Sequence, residues 1–149
     1  MERQHKCYMC GNQADLVTGS RETTAGSRRI TFEDEFYLCS NCGERFYVGA
    51  MADETFRRAA AAVRRMDGLL APDEIREIRA IYGLSQASLE KLIKSGEKTV
   101  VRWERGTVAQ NATADTLLRV LRDHPEVVAR LAEQRGVKVT LPEAARSAA

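Results

Sequence analysis

The chain has 149 residues, a net charge of +2 and 44% apolar residues, so it can build a core, but its charge indicates no particular partner. No apolar run approaches the ~20 residues that a membrane-spanning helix needs, and the first residues lack the apolar stretch of a secretory signal. We therefore expect a cytoplasmic protein with no membrane partner, whose cysteines are kept reduced.

Residues 1–50 contain all four cysteines and are predicted to form a small metal-binding module. The cysteines occur in two copies of the pattern CxxCG, at Cys7–Cys10 and Cys39–Cys42. A CxxC turn directs two thiolates at one point, and the glycine after it allows a left-handed backbone conformation. Two such turns complete the tetrahedral shell of a closed structural zinc site. Residues 11–38 separate the turns, more than the ~15–20 residues common in such sites, and a β-hairpin would absorb the excess.

The pattern thus predicts one structural Zn²⁺ per chain, with the ligands Cys7, Cys10, Cys39 and Cys42. Free thiols, disulfides and an iron–sulfur cluster are the alternatives. A catalytic zinc needs an open coordination position and a nearby general base. No His-x-Glu motif is present among residues 1–50, where the cysteines lie, and we expect His5 to be exposed and not a ligand.

The run Arg29–Cys39 alternates apolar and other residues, which predicts a strand or hairpin with Ile30, Phe32, Phe36 and Leu38 on one face. The stretch Gly19–Ser27 is rich in Gly, Ser and Thr and is predicted to be a loop. An edge strand around Arg29–Phe36 could pair with the sheet of a partner. The alternative is that the helix that follows covers this edge.

Residues 51–70 are predicted to be a connecting helix and linker. Apolar residues recur at helical spacing over 53–66, at Phe56, Ala60, Val63 and Met66. Residues 71–136 are predicted to form an all-α bundle of about five short helices, with Ser85 as an N-cap, Thr113 or Asn111 at the start of the fourth helix, and glycines at helix ends. Residues 137–149 are predicted to be a disordered tail. The whole is an α+β protein.

The third helix of this bundle has the character of a DNA-recognition helix. At ~100° per residue, Val100 and Trp103 lie on one side, and Lys98, Arg102 and Arg105 lie opposite, flanked by Thr99. An apolar face can dock on the bundle while basic and hydroxyl groups enter the major groove. The predicted DNA-binding residues are Gln86, Lys98, Thr99, Arg102 and Arg105. The alternative is a merely solvated basic face on a helical bundle.

Two segments, Leu84-Ser-Gln86 and Glu97-Lys-Thr-Val-x-Arg-Trp-Glu-Arg-Gly106, resemble the Cro-repressor/xenobiotic-response-element class of helix-turn-helix. The complete order adds CxxCG, a hairpin, a second CxxCG-Glu, a connecting helix and Leu-Leu-x-Pro-x-Glu-Ile before this motif. Thr-Leu-Leu-Arg-Val-Leu (116–121) and His-Pro-Glu (124–126) follow it. Over residues 6–131 this order resembles the MqsA-type antitoxins, which carry a YgiT-type zinc finger.

That resemblance implies an antitoxin of a type II toxin–antitoxin system that represses its own operon. It implies a homodimer through the C-terminal domain, a palindromic operator in double-stranded DNA, and a toxin bound by the N-terminal zinc module. The base-reading positions of the family fall on Lys98 and Arg102, and Lys98 replaces the family's asparagine, so the operator sequence need not be shared.

Two other interpretations compete with this one. The first is a stand-alone zinc-containing transcriptional regulator with no toxin partner, which the sequence does not separate from an antitoxin. The second is a zinc- or thiol-dependent enzyme. The residues argue against an enzyme, because no convergent set of His, Glu and Asp is present and metal-bound cysteines are not free nucleophiles.

Two residues depart from the helix-turn-helix pattern. Glu90 stands where alanine is usual, and Lys94 stands where the turn usually has glycine. Because the two are four residues apart, they are predicted to pair on the surface and to open the turn slightly.

Overall fold

The computed structural model describes residues 3–143. The chain divides into two compact units, Met1–Val63 and Arg64–Ala149. Within the described residues, a small antiparallel sheet is followed by the six helices given below, which is the predicted α+β architecture. Among the described residues, no helix has the length and apolar character required to cross a bilayer.

The N-terminal unit is built on a four-stranded antiparallel meander. Its strands are β1 (Gln4–Lys6), β2 (Gln13–Ala25), β3 (Arg28–Cys39) and β4 (Arg45–Phe46), each paired with the next. The strands β2 and β3 form a long hairpin in continuous register, from Ala14 opposite Cys39 to Ala25 opposite Arg28. The two short strands pair only near one end of this hairpin. Both long strands therefore extend well beyond their outer partners.

The predicted loop over Gly19–Ser27 is wrong for most of its length. Residues 19–25 belong to β2, and the turn is confined to Gly26, which has φ +63°, and Ser27. The composition indicated a loop because the residues of β2 are mostly polar and lack an apolar alternation. They occupy exposed and half-buried positions in turn. Pairing with the apolar strand β3 therefore outweighs the local preference for a loop.

The strand β3 has the predicted alternation. Ile30, Phe32 and Phe36 are buried, whereas Leu38 is only half-buried. Near its end the strand is buried on both faces, because Tyr37 also lies in a core and stacks on Phe46 with ring centroids 5.5 Å apart.

A fully buried carboxylate, Asp34, joins three parts of the N-terminal unit. It accepts hydrogen bonds from Tyr47 at 2.8 Å and Thr55 at 2.9 Å, and it forms ion pairs with Arg21 at 3.3 Å and Arg58 at 3.4 Å. Burial alone raises the pKa of Asp34, but the hydrogen bonds from Tyr47 and Thr55 outweigh it and hold this pKa below its usual range. The carboxylate therefore stays ionised and fixes the strand β3 to the residues after the sheet.

The first helix, α1 (Met51–Asp67), begins and ends close to the predicted 53–66. Its predicted apolar face is correct only in part, because Phe56 is 59% and Met66 48% exposed. The contact with Ile30 and Phe32 is formed by the predicted Val63 together with two small side chains, Ala59 and Ala62. Small residues let a helix backbone approach a sheet closely, so bulk at helical spacing was a misleading guide here.

The C-terminal unit contains the predicted five helices, α2 (Pro72–Ile81), α3 (Gln86–Ile93), α4 (Thr99–Arg105), α5 (Ala112–Asp123) and α6 (Pro125–Arg135). Their ends have the expected chemistry. The Ser85 hydroxyl accepts from the backbone N–H of Ser88 at 3.0 Å, and the Asn111 side chain accepts from that of Ala114 at 2.8 Å. Gly106 closes α4 in a left-handed conformation.

One apolar cluster fills the bundle, with Leu70, Ile75, Ile78, Tyr82, Leu84, Leu89, Leu92, Val100, Trp103, Leu118, Leu121, Val128 and Ala132 buried in it. The segment after α6 adds to it, because Val137, Val139 and Leu141 pack against the cluster and the Thr140 N–H donates to the Tyr82 carbonyl at 3.0 Å. This packing differs from the disordered tail expected over 137–149. Residues 144–149 of that expectation lie outside the described part of the chain.

Candidate metal centre and nucleic-acid interface

The sheet brings the two CxxC turns side by side. The first turn follows β1 and the second follows β3, and the start of β2 pairs with both strands, since Ala14 lies opposite His5 on one side and Cys39 on the other. In each turn the glycine N–H donates to the carbonyl of the first cysteine at 2.9 Å. Gly11 and Gly43 have φ of +74° and +73°, as predicted for the residue after a CxxC turn.

The four sulfur atoms converge on one point. All Sγ atoms of Cys7, Cys10, Cys39 and Cys42 lie within 4.8 Å of one another. The Cys7–Cys42 and Cys10–Cys39 distances are 3.6 and 3.5 Å, far beyond the ~2.05 Å of a disulfide bond. A tetrahedral ion with metal–sulfur bonds of ~2.3 Å places its sulfur ligands ~3.8 Å apart. The four cysteines are therefore positioned to hold a metal ion.

The thiols of the two exposed cysteines, Cys10 and Cys42, have pKa values shifted in opposite directions while no metal is bound. Hydrogen bonds from the side chain and backbone of Asn12 lower the pKa of Cys10 to about 6. At Cys42 the backbone hydrogen bond from Glu44 lowers the pKa, but desolvation and the neighbouring sulfurs together raise it to about 12. A bound cation would favour the thiolate at all four sulfurs, since metal binding displaces thiol protons.

Of the predicted DNA-binding residues, three form an exposed group on and before α4. Val100 and Trp103 are buried on the bundle side as predicted, while Lys98, Arg102 and Arg105 are exposed. The Arg102 Nε donates to the Lys98 carbonyl at 3.2 Å, so these two residues are in direct contact.

Thr99 is half-buried at the first position of α4, and Gln86 is held differently from the basic residues. The side-chain amide of Gln86 donates to the Glu104 carboxylate at 2.7 Å. In this arrangement Gln86 is tied to α4 and supports it.

The role of Glu104 was not predicted from the sequence; this residue of α4 is buried. The Arg79 guanidinium donates to both of its carboxylate oxygens, at 2.7 and 3.1 Å. Burial raises the pKa of Glu104, but the hydrogen bonds from Arg79 and Gln86 outweigh it and lower this pKa. Because these partners belong to α2 and α3, no pattern within α4 itself could have indicated the cluster.

The predicted surface pair between Glu90 and Lys94 is also wrong. Glu90 is only 8% exposed, and its carboxylate accepts from the backbone N–H of Val100 in the first turn of α4, at 2.9 Å. A carboxylate at this position satisfies a free N–H and lies at the positive end of the helix dipole. Lys94 takes the left-handed conformation that a glycine would take there, with φ 55°.

Comparisons with known proteins show similarity to bacterial antitoxins. A family model described as the antitoxin component of bacterial toxin–antitoxin systems, MqsA, matches residues 5–132. The antitoxin MqsA of Escherichia coli strain K12 is 24% identical over 127 residues, which cover 83% of this chain and 96% of that protein. The antitoxin HigA-2 of Vibrio cholerae serotype O1 is 34% identical over 64 residues, which cover 43% of this chain and 62% of that protein.

Proposed function

The chain belongs to the MqsA antitoxin family, and we propose from this membership that it is the antitoxin of a type II toxin–antitoxin system and a repressor of its own operon. In this proposal the C-terminal unit reads DNA and the N-terminal unit binds the toxin.

The observation that carries the DNA-binding function is the two-sided character of α4. Its buried side, with Val100 and Trp103, anchors the helix, and its exposed side presents Arg102 and Arg105 beside Lys98. A guanidinium can bridge two acceptors of guanine in the major groove, and a lysine can reach a base edge or a phosphate. A homodimer through the C-terminal unit would bind a palindrome with half-sites about one helical turn, ~34 Å, apart.

Zinc is the ion that best suits the four cysteines. A closed shell of four thiolates is the usual structural site of Zn²⁺. Among the described residues, the cluster that could hold the metal ion contains only cysteines. We therefore assign one structural zinc ion per chain.

Toxin binding by the N-terminal unit is supported by the long edge of its hairpin, most of which β4 does not cover. β4 pairs only with Tyr37 and Leu38, which leaves residues 29–36 of β3 without a strand on that side among the residues described. Helix α1 contacts β3 through side chains, such as Arg58 with Glu35 at 2.9 Å. An unpaired strand edge offers main-chain groups to the sheet of a partner.

The test of the DNA function is operator binding by a variant that loses both proposed base-reading cations. We expect Lys98→Ala with Arg102→Ala to weaken binding to a labelled duplex from upstream of the chain's own gene, because each contact contributes ~1–3 kcal/mol. Fluorescence anisotropy at fixed salt measures the affinity.

The matched control is Arg130→Ala with Lys138→Ala, which removes two exposed cations from the same unit outside the helix-turn-helix. An upstream-duplex affinity that is the same for both double variants and the unaltered protein rules out α4 as the recognition helix.

A further inference from the structure

Arg64, in the last turns of α1, is buried inside the C-terminal unit. The residue is only 7% exposed, and desolvation lowers its pKa. Its Nε has no hydrogen-bond partner within the described part of the chain. Arginine stays charged in proteins, so this position holds a buried cation at an energetic cost.

The Arg64 guanidinium meets the carboxyl-terminal end of α4. Its terminal nitrogens donate to the carbonyls of Val108 at 2.7 Å, Gly106 at 3.3 Å and Trp103 at 3.4 Å. The last carbonyls of a helix have no partners within the helix and carry the negative end of its dipole. Trp103 lies in α4, Gly106 is its C-cap and Val108 follows it, so one side chain from α1 ties the end of the helix to the next residues and adds a compensating charge.

The other end of α4 is held in the complementary way. Glu90 accepts from the Val100 N–H, so an anion lies at the positive end and a cation at the negative end. Helix α4 has only seven residues, and so short a helix has little stability of its own. Its direction and register therefore depend on the packing of Val100 and Trp103 and on the contacts at its two ends.

We propose that Arg64 is a positioning residue for DNA recognition, which sets the orientation of α4 and with it the placement of Arg102 and Arg105. This inference rests on the proposed function, since it assumes that α4 reads bases. Bidentate contacts with bases require accurate placement, whereas attraction to phosphates tolerates small rotations of the helix. Loss of Arg64 should therefore reduce discrimination between sequences more than general attraction to DNA.

The backbone at Arg64 is also fixed, which makes its side chain a defined anchor. The Arg64 carbonyl accepts from the Leu69 N–H at 3.1 Å, and Gly68 has φ +61°. This is the Schellman arrangement that closes a helix, with Arg64 three residues before the cap.

The experiment compares the full-length chain with Arg64→Met, which keeps the length and apolar character of the side chain but removes its charge and donors. Affinity is measured for the upstream duplex and for a shuffled duplex of the same length and composition, over a series of salt concentrations. Thermal unfolding is followed in parallel, so that binding is measured well below the unfolding midpoint. The matched control is Arg65→Met, at the neighbouring exposed position of α1.

We expect Arg64→Met to lose about tenfold in the ratio of upstream to shuffled affinity, the size of one misplaced base contact. The salt dependence should stay close to that of the unaltered chain, because the number of phosphate contacts is kept. Arg64→Lys, which keeps the charge but not the planar fork of donors, should lose part of the discrimination and covers the case in which Arg64→Met does not fold.

A folded Arg64→Met or Arg64→Lys variant that discriminates as well as the unaltered chain overturns the inference and reduces Arg64 to a stabilising residue. If the unaltered chain itself shows no preference for the upstream duplex, the proposed function fails and this inference fails with it. The two failures are thereby distinguished.

Discussion

Within each of the two units, single buried charges stabilise the fold. Each charge is matched by donors from distant parts of the chain. Asp34, Glu104 and Asp115 are all buried, and hydrogen bonds keep the pKa of each below its usual range despite desolvation. Asp115 accepts from the Leu70 N–H at 2.8 Å and thereby fixes the residues that follow α1. A buried carboxylate without its partners would be strongly destabilising, so these residues are sensitive points of the fold.

We expect Asp34→Asn to lower the free energy of unfolding of the N-terminal unit by about 3 kcal/mol at neutral pH, as when one member of a buried ion pair is removed. The pKa of Asp34 is lowered by folding, so its stabilisation is fully present above the unfolded value of ~3.9 and is lost as the pH falls through the folded value. The difference between the two proteins should therefore shrink in acid. Urea unfolding at several pH values measures it.

The control for this prediction is Glu33→Gln, which removes one negative charge from the adjacent, exposed position of β3. It should leave stability within ~0.5 kcal/mol of the unaltered chain. Equal effects of the two substitutions at neutral pH would show that the hydrogen bonds to Asp34 contribute nothing specific.

At the scale of elements, the sequence predicted helices better than strands. The caps Ser85 and Asn111 and the closing glycines are local signals, and all five helices of the C-terminal unit lie where these signals place them. The first half of the long hairpin was missed, because β2 is stabilised by its pairing with β3 and not by its own composition. Likewise, the burial of Glu90 and Arg64 results from their contacts at the two ends of α4, and α4 lies far along the chain from Arg64.

The cysteine turns could be predicted from sequence because their chemistry is repeated locally, and they lead to a prediction about folding. We expect Cys39→Ser to unfold the sheet while α2–α6 remain folded, since zinc binding contributes ~10–16 kcal/mol to the folding of such small modules. The two units are compact separately, and the core of the helical unit contains no cysteine among its described residues. Metal analysis together with NMR of the full chain measures both effects.

The matched control is Ser40→Ala, at an exposed position inside the same turn, which should keep one zinc ion per chain. Clearly less than one zinc per chain in freshly purified, reduced, unaltered protein would refute a structural zinc ion.

For the molecule as a whole, the division into two units suggests a division of labour. The proposed base-reading residues all lie in the unit Arg64–Ala149. Residues 29–36 of β3, which have a neighbouring strand on one side only among the described residues, lie in the unit Met1–Val63. Helix α1 belongs to both, because the boundary falls between Val63 and Arg64. The full chain is therefore the appropriate protein for separating the two functions, since a truncation near this boundary would disturb the contacts of Arg64 with α4.

We expect the full-length Lys98→Ala, Arg102→Ala variant to lose operator binding and still neutralise a toxin encoded by the neighbouring gene. The reason is that both residues are exposed on the C-terminal unit, whereas the proposed toxin contact uses main-chain groups of β3. The variant is co-expressed with the neighbouring gene product, and growth and co-purification are measured.

The Cys39→Ser chain should behave in the opposite way, binding the upstream duplex without relieving the growth arrest. If the folded double variant fails to restore growth while the unaltered chain succeeds, toxin binding requires the C-terminal unit. If even the unaltered chain forms no complex with that product, the alternative of a stand-alone zinc-containing regulator is favoured.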